Sequence, residues 1–340
     1  KAFAEFNAKG EAFDMVVGDS QWTGAGSTGG HYVDLTDFYA KHKVLDSMAP
    51  ATVKAYAEYP GNSGKYWSIP LEGDAAGWAY RKDWFEDPKE MEAFKAKYGY
   101  DLAVPKTYKE LRDIAEFFYR PDENVYGAAI YTQKDYDGMI MGFENVLFSW
   151  GVGWQDENNQ VLGVVNSEKA IEALEFYKEL YQFSPPGLDN AFYTEVNSAF
   201  INGQATLVMN YFAFLPALIN ENTNPKYYDK AGFFANPAGP DGDRYAALGG
   251  QGMSVVSYIS PERQQASLDF IEWFGKYENQ VKWAEAGGYT CNTEVLQSEA
   301  FLNATPYNPA FAETMTFVKD FWNIPEFGSL LEVAQRELST

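Results

Sequence analysis

The chain has 340 residues, of which 46% are hydrophobic, so it is a globular protein long enough for two domains. Its 48 acidic and 26 basic residues give a net charge of -22, which makes nucleic acid and anionic membrane surfaces poor partners. The one cysteine, Cys291, excludes an intrachain disulfide, and no apolar run is long enough to predict a transmembrane helix.

Helix starts are predicted where a capping residue precedes a stripe of apolar residues with helical spacing. The opening segment Lys1–Lys9 has this spacing, and three later helices follow capping signals at Thr107, Ser167 and Ser260. A further apolar stripe predicts one helix over 311–322.

Short apolar runs between these helices predict β-strands. They are Phe13–Val17, Gly77–Tyr80, Gly127–Tyr131, Ala205–Met209 and Ser254–Ile259. Because strands alternate with helices, the sequence predicts an α/β protein whose sheets are largely parallel. Ligands of such sheets bind beyond the carboxyl ends of strands, so residues at those ends are the first candidates for a site.

Polar and aromatic side chains stand together at several of these strand ends. The candidates are Asp19, Gln21 and Trp22 after the first strand, Glu72 and Asp74 before the second, Tyr211 after the fourth, and Gly250 and Gln251 before the fifth. A sugar needs this combination, because its hydroxyls both donate and accept hydrogen bonds and its C–H face packs against a ring. The surplus of aromatic residues, 17% of the chain, agrees with that interpretation.

Each candidate also has a purely structural interpretation. Asp19 could cap a turn, Trp22 and Trp154 could fill a core, and Glu72 and Asp74 could form a solvated charge pair. The recurrence of one chemistry at several strand ends favours a binding site over these separate explanations.

No motif indicates a metal or a cofactor. The 24–29 segment has the glycine spacing of a dinucleotide fingerprint, but six residues separate it from the preceding strand. His31 and His42 lack a metal-binding spacing, and Asp156–Gln160 lacks the glycine and the bidentate glutamate of a calcium loop. We therefore predict a site without catalytic residues, metal or cofactor, and a solvated turn at Asp156–Gln160.

Glu72 and Asp74 leave an enzymatic alternative open. Residues two apart on a strand face the same side, and the strand rise places their carboxyl groups about 6–7 Å apart. That separation is close to the one used by paired carboxylates in glycoside hydrolysis. The two acids of a glycosidase usually come from opposite walls of its site, which favours the binding interpretation.

Seven segments, taken in order, resemble family 1 extracellular solute-binding proteins, the maltose-binding-like sugar receptors of ABC importers. They are Phe13–Trp22, Tyr66–Asp74, Tyr80–Phe85, Val104–Tyr108, Phe200–Ala205, Gly249–Ser254 and Gly287–Thr290. Each segment is weak evidence by itself, whereas their common order along residues 1–340 is specific.

The resemblance implies the two-lobed, type II periplasmic-binding-protein fold. Each lobe would be a mostly parallel sheet flanked by helices, with the ligand held in the cleft between the lobes. Lobe I would contain residues 1–73 and 252–300, and lobe II residues 74–251 and 301–340. The hinge crossovers would lie near residues 72–76 and 248–253.

The resemblance also assigns roles to residues of this sequence. It places Asp19, Gln21 and Trp22 on the first lobe, Glu72 and Asp74 at the hinge, a stacking Trp154 on the second lobe, Tyr211 and Gln251 where the site closes, and Gly250 and Tyr289 in later binding loops. Maltose receptors carry a tryptophan where this chain has Tyr211 or Phe212, so the size and identity of the sugar stay open.

The implied function is that of a monomeric substrate-binding component of a carbohydrate importer. It would bind a sugar or polyol by hinge closure and deliver it to membrane permease subunits, without catalysing a reaction. Its location would be the periplasm, or the extracellular face of the membrane with which it associates. A receptor of the same fold that serves a sensor kinase or chemoreceptor is a second alternative. The resemblance further implies residues absent between Gly10 and Glu11, after Thr340, and before Lys1, where the gene would encode a signal segment.

Overall fold

The computed structural model describes residues 2–135 and 138–339, which form an α/β protein of two compact units. Unit 1 contains residues 2–74, 248–308 and 320–330. Unit 2 contains residues 75–135, 138–247, 309–319 and 331–339. The chain therefore passes between the units at Asp74–Ala75 and at Ala247–Leu248, and its last part alternates between them, whereas the sequence-based division assigned all of 301–340 to one lobe.

Seven strands lie within the described residues. They are β1 (Met15–Asp19), β2 (Ile69–Arg81), β3 (Tyr126–Ala129), β4 (Ala205–Tyr211), β5 (Ala231–Phe234), β6 (Ala246–Val255) and β7 (Val318–Lys319). The long strands β2 and β6 each begin in one unit and end in the other.

The pairing of these strands corrects one detail of the predicted architecture. In unit 1, β1 pairs antiparallel with β6, so that Asp19 lies opposite Gln251. In unit 2, β4 and β5 pair antiparallel with β2, while β3 pairs parallel with β4 and β7 parallel with β6. The sheets are thus mixed rather than mostly parallel. A strand that arrives from the other unit is not part of a βαβ crossover, so nothing requires it to run parallel to its neighbours.

Helices surround these strands. They are α1 (Ala2–Asn7), α2 (Trp22–Thr28), α3 (Thr36–His42), α4 (Pro50–Thr52), α5 (Lys82–Phe85), α6 (Pro88–Tyr98), α7 (Tyr108–Phe117), α8 (Gly138–Ser149), α9 (Glu168–Gln182), α10 (Tyr193–Ile201), α11 (Pro216–Ile219), α12 (Pro261–Phe274), α13 (Tyr277–Glu285), α14 (Thr293–Leu296), α15 (Glu299–Ala304), α16 (Asn308–Thr314) and α17 (Phe327–Leu338). Shorter turns are 3-10 helical at Val44–Ser47, Pro121–Glu123 and Phe212–Phe214, and π-helical at Val53–Ala57. Among the described helices, none combines the length and the hydropathy needed to cross a bilayer.

Capping explains where the three best predicted helices begin. Thr107 and Glu110 form a reciprocal capping box at α7, where the Thr107 hydroxyl accepts a hydrogen bond from the Glu110 N–H at 3.2 Å. The Ser167 hydroxyl accepts from the Ala170 N–H at the start of α9, and Ser260 caps α12 in the same way. These three helix starts are confirmed, because each cap satisfies backbone donors that the first turn leaves unpaired.

The prediction of one helix over residues 311–322 is wrong. Helix α16 ends at Thr314, and Val318 and Lys319 instead form β7 beside Ala246 and Ala247 of β6. The apolar residues of this segment have helical spacing, but strand pairing with a distant segment overrides local periodicity.

Each unit has its own apolar core. Unit 1 buries Leu35, Tyr56, Ile69, Val255 and Ile271, and unit 2 buries Trp78, Tyr108, Leu111, Phe200 and Leu207. Burying one such aliphatic side chain stabilises a fold by about 1.5–3 kcal/mol relative to leaving it exposed. The cores hold β1, β2 and β6 in place, and these strands carry the candidate residues of unit 1.

Candidate functional site

The end of β1 presents a carboxylate followed by a buried amide. The backbone N–H of Ser20 donates to Asp19 Oδ1 at 3.0 Å. Burial raises the pKa of Asp19 to about 6, although the Ser20 N–H and the Gln21 side chain both act to lower it. The Gln21 side chain is only 6% exposed, and its Nε2 approaches Asp19 without reaching hydrogen-bond geometry with any acceptor in the described structure. The site therefore contains a buried donor that a ligand oxygen could satisfy.

Trp22 opens helix α2 directly after these residues. Its indole lies against Gly18, where an added Cβ would come within 2.8 Å of the ring. The side chain is partly exposed, so it does not fill the core of unit 1. An aromatic ring therefore stands beside hydrogen-bonding groups at the end of β1.

Two carboxylates of β2 lie close to Tyr289. Burial raises the pKa of Glu72, and Asp74 is only 6% exposed. Burial also raises the pKa of Tyr289 strongly, and the neighbouring Tyr307, Asp74 and Glu72 raise it further. The two segments are joined directly, because the Gly73 N–H donates to the Tyr289 carbonyl oxygen at 2.7 Å.

Tyr56 links the β1 and β2 carboxylates. Its side chain is fully buried in the π-helical turn, and its hydroxyl donates a hydrogen bond to the Gly249 carbonyl oxygen. Burial raises its pKa well above the usual value, and the negative charges of Asp320, Asp19 and Asp74 act in the same direction. We call these four residues, Tyr56, Asp19, Asp74 and Asp320, the Tyr56 cluster.

The buried thiol of Cys291 also lies near Tyr56. Burial raises the pKa of this thiol to about 12, with a smaller contribution in the same direction from Glu72. A thiol of that pKa stays protonated at neutral pH, so Cys291 is unsuited to act as a nucleophile.

Gly250 and Gln251 lie within strand β6, which corrects the prediction that they form a loop ahead of a strand. Gly250 has a φ of +92°, and an added Cβ would lie 2.1 Å from the Glu72 carbonyl oxygen. Glycine is therefore the residue that lets β6 approach β2 at this point. The sequence predicted this strand at Ser254–Ile259, too late in the chain, because glycines disfavour strands unless a neighbouring backbone comes this close.

Trp154 belongs to unit 2 and follows helix α8. Its indole Nε1 donates a hydrogen bond to Glu144, a fully buried carboxylate of α8. The tryptophan is itself partly exposed, so it does not occupy the core. Lys319 Nζ lies 3.3 Å from where a Cβ on Gly153 would stand. This part of unit 2 therefore also contains a basic group.

Tyr211 ends β4 and is 5% exposed. Its N–H donates to the Asn210 side-chain oxygen at 2.9 Å and to the Tyr131 hydroxyl at 3.2 Å. The next residue, Phe212, is fully buried, and its ring packs on Gly77 and against Phe311. Both aromatic residues are therefore buried in unit 2, Phe212 completely.

The structure brings one group of the candidates together within unit 1. These are Asp19, Gln21, Trp22, Glu72, Asp74, Gly250, Gln251 and Tyr289. Trp154 and Tyr211 lie on separate elements of unit 2. In the described ranges, no group of three or more His, Cys, Asp or Glu side chains is arranged to hold a metal ion.

Four contributors were not recognised from the sequence: Tyr56, Asp320, Tyr307 and Glu144. Tyr56 and Glu144 stand within helical turns, where burial of an apolar face is the usual explanation. Asp320 follows β7, and the predicted helix over 311–322 concealed it. Only a correct strand assignment for Val318–Lys319 would have placed Asp320 at a strand end.

Comparison with known proteins agrees with this architecture. The family model of the bacterial extracellular solute-binding protein matches residues 1–281. A protein of Deinococcus radiodurans named a probable ABC transporter-binding protein is 25% identical over 323 residues, which cover 92% of this chain and 70% of that protein. The maltotriose-binding protein of Pyrococcus abyssi is 22% identical over 270 residues. The matched region covers 78% of this chain but spans only about half of that relative, 51%.

Solved structures share the fold along the whole chain. The maltose-bound MalE3 of T. maritima has a TM-score of 0.80 and 24% identity, covering 99% of this chain and 81% of that one. A solute-binding protein of Agrobacterium radiobacter K84 in complex with ribitol has a TM-score of 0.78 and 23% identity, with coverage of 99% and 82%. These similarities confirm the predicted α/β fold of the maltose-binding-like, type II periplasmic binding proteins.

Proposed function

Because the chain belongs to the bacterial extracellular solute-binding proteins, we propose that it is the substrate-binding component of an ABC-type carbohydrate importer. The relative in Deinococcus radiodurans, named for an ABC transporter, supports the importer role. The ligand is a sugar or a polyol that the chain delivers to membrane permease subunits. The chain acts as a monomer in the periplasm or at the outer face of the membrane.

The observation that carries this proposal is the Tyr56 cluster with its neighbours. The charges of Asp320 after β7, Asp19 on β1 and Asp74 on β2 all raise the pKa of one buried tyrosine, Tyr56. The buried Gln21 amide and the partly exposed Trp22 ring stand next to Asp19. Carboxylates accept hydrogen bonds from sugar hydroxyls, the amide donates to them, and the indole packs against a C–H face.

Solved proteins of similar structure support the same class of ligand. Those solved proteins are bound to ribitol, maltose, tagatose or mannitol, all neutral polyhydroxy compounds. We propose that Trp154 and Tyr211 of unit 2 contribute to binding as well, and that β2 and β6 act as hinge connections during closure. Closure lets affinity depend on a conformational change that the permease can reverse.

A glycoside hydrolase is the enzymatic alternative. Glu72 and Asp74 both act on the same hydroxyl, that of Tyr289, which is less suited to flanking a glycosidic bond from two sides. We propose that the chain is not an enzyme. Incubation with maltose and longer maltodextrins, followed by chromatography, would reveal cleavage and so contradict this. A signalling receptor of the same fold would bind sugars equally well, and loss of uptake after gene deletion separates the two roles.

The proposal is tested by a thermal-shift screen followed by calorimetry. The screen uses ribitol, mannitol, tagatose, maltose, maltotriose and maltotetraose. With the best ligand, Asp74→Ala should weaken affinity more than tenfold, because losing a buried charged acceptor costs about 1.4 kcal/mol or more. Asp46→Ala, at an exposed position of unit 1, is the matched control and should leave affinity unchanged.

Two results would contradict the proposal. One is the absence of a shift with every sugar and polyol. The other is unchanged affinity in Asp74→Ala with the variant folded by circular dichroism. Asp74→Asn separates charge from shape, since it keeps the volume of the side chain while removing its charge.

A further inference from the structure

Four carboxylates meet on the candidate site of unit 1. Asp19 lies opposite Gln251 in the β1–β6 pair, and the adjacent Gly250 lies against the backbone of Glu72 and Asp74. The charges of Asp320, Asp19 and Asp74 raise the pKa of Tyr56, and those of Asp74 and Glu72 raise the pKa of Tyr289. The four carboxylates come from three separate parts of the chain: the end of β1, two positions of β2, and the residue after β7. The site is therefore strongly acidic. The net charge of -22 alone does not tell where on the protein the acidic groups lie.

Two of these carboxyl groups, Asp19 and Glu72, lose water on burial without forming an ion pair with a described basic residue. In the part of the chain that the structure describes, no Lys, Arg or His lowers the pKa of Asp19 or Glu72. Burial raises both pKa values, as expected for carboxyl groups that lose water and gain no opposite charge. A negatively charged ligand would add a like charge to this surface.

The buried amide of Gln21 gives an independent sign of what the ligand supplies. Its Nε2 is a donor with no hydrogen-bond partner in residues 2–135 and 138–339, and it stands beside the Asp19 carboxyl group. A hydroxyl placed there accepts from Gln21 and donates to Asp19 at the same time. A carboxylate could only accept, so it would leave Asp19 facing a second negative charge.

We infer that this site selects polyhydroxy ligands without negative charge, and that replacing a ligand hydroxyl by an amine preserves or strengthens binding. The inference rests on the proposed function, since it concerns the ligand of the same site. A ligand carboxylate about 6 Å from one protein carboxylate, at an effective dielectric constant of about 20, is repelled enough to weaken binding about 100-fold. An ammonium group gains a charge-assisted hydrogen bond instead.

Matched trios of ligands test this by calorimetry at pH 7.5. The trios are sorbitol, 1-amino-1-deoxysorbitol and gluconate; glucose, glucosamine and glucuronate; galactose, galactosamine and galacturonate; and maltitol, 1-amino-1-deoxymaltitol and maltobionate. In any trio that binds, the acid should bind at least tenfold more weakly than the neutral member, and the amine at least as tightly. An acid that binds as well as its neutral parent overturns the inference and leaves sugar binding intact.

A double variant ties the effect to the named residues. Asp19→Asn with Glu72→Gln removes two charges and should reduce the ratio of acid to neutral dissociation constants by at least about tenfold. Asp46→Asn, exposed on unit 1, is the matched control and should leave the difference unchanged. An unchanged difference in the folded double variant also overturns the inference. If no member of any trio binds and no sugar or polyol of the thermal-shift screen binds either, sugar recognition itself fails, and the proposed function fails with it.

Discussion

The buried hydroxyl of Tyr56 donates a hydrogen bond to the carbonyl oxygen of Gly249 in β6. This contact fixes a tyrosine from a π-helical turn against the glycine-rich part of a strand almost two hundred residues later in the chain. It also holds the ring where three carboxylates act on it. The bond therefore joins the frame of unit 1 to its candidate site.

We predict that Tyr56→Phe destabilises the unliganded protein by about 1–3 kcal/mol, because the Gly249 carbonyl oxygen loses its buried donor. Urea denaturation followed by fluorescence measures the change. Tyr181→Phe removes an exposed hydroxyl and should be neutral within about 0.5 kcal/mol. Equal effects of the two variants would show that the Tyr56 hydrogen bond contributes nothing to the free energy of unfolding.

We predict that Asp19→Asn stabilises the unliganded protein at pH 7.5, by about 1–3 kcal/mol, while it weakens ligand binding. The folded-state pKa of Asp19 is about 6, above its ordinary 3.8. The group's contribution to stability is thus fully present below pH 3.8 and is lost as the pH rises through 6. Asparagine stays neutral and keeps the oxygen that accepts from the Ser20 N–H.

The measurement is denaturation of both proteins between pH 4 and pH 7.5. The advantage of the variant should grow across that window, whereas Asp46→Asn should show no such trend. A variant that is less stable at every pH would mean that the carboxylate is favourably paired in the folded state.

We predict that Gly250→Ala is destabilising by more than about 2 kcal/mol, because it meets both a positive φ and a backbone clash. Gly64→Ala has a positive φ with open space around it and should cost about 1 kcal/mol. Gly61→Ala has neither feature and should be nearly neutral. Thermal unfolding of the three variants should give this order, and a cost at Gly250 equal to that at Gly64 would refute the close approach of β6 to Glu72.

We predict that Trp154→Phe lowers the stability of unit 2 by about 1–3 kcal/mol, because the buried Glu144 carboxylate loses the indole donor. Adding Glu144→Gln should recover part of this loss, since a buried neutral amide that loses a donor costs less than a buried carboxylate that loses one. A double-mutant cycle measures the coupling. Additive effects of the two substitutions would show that the hydrogen bond contributes no coupling energy.

The placement of several unit 1 candidate residues could be predicted from the sequence. The run Asp19, Gln21 and Trp22 ends a short apolar strand, and local signals suffice to place such residues at a strand end. Glu72 and Asp74 were predicted to precede a strand, whereas they lie within β2. The start of each capped helix was predicted correctly. These features depend on neighbours within a few residues, which is the range over which capping and periodicity act.

The tertiary structure alone decided the rest. Val318 and Lys319 form a strand because β6 offers unpaired backbone groups, and only then does Asp320 reach Tyr56. Gly250 can lie in strand β6 beside the Glu72 backbone because it has no Cβ, which would clash with the Glu72 carbonyl oxygen. Such contacts join segments far apart in the chain, and their energy comes from burial and pairing that no local pattern encodes. The sequence by itself determined which chemistry is available, and the packing of β1, β2 and β6 determined which of those groups meet.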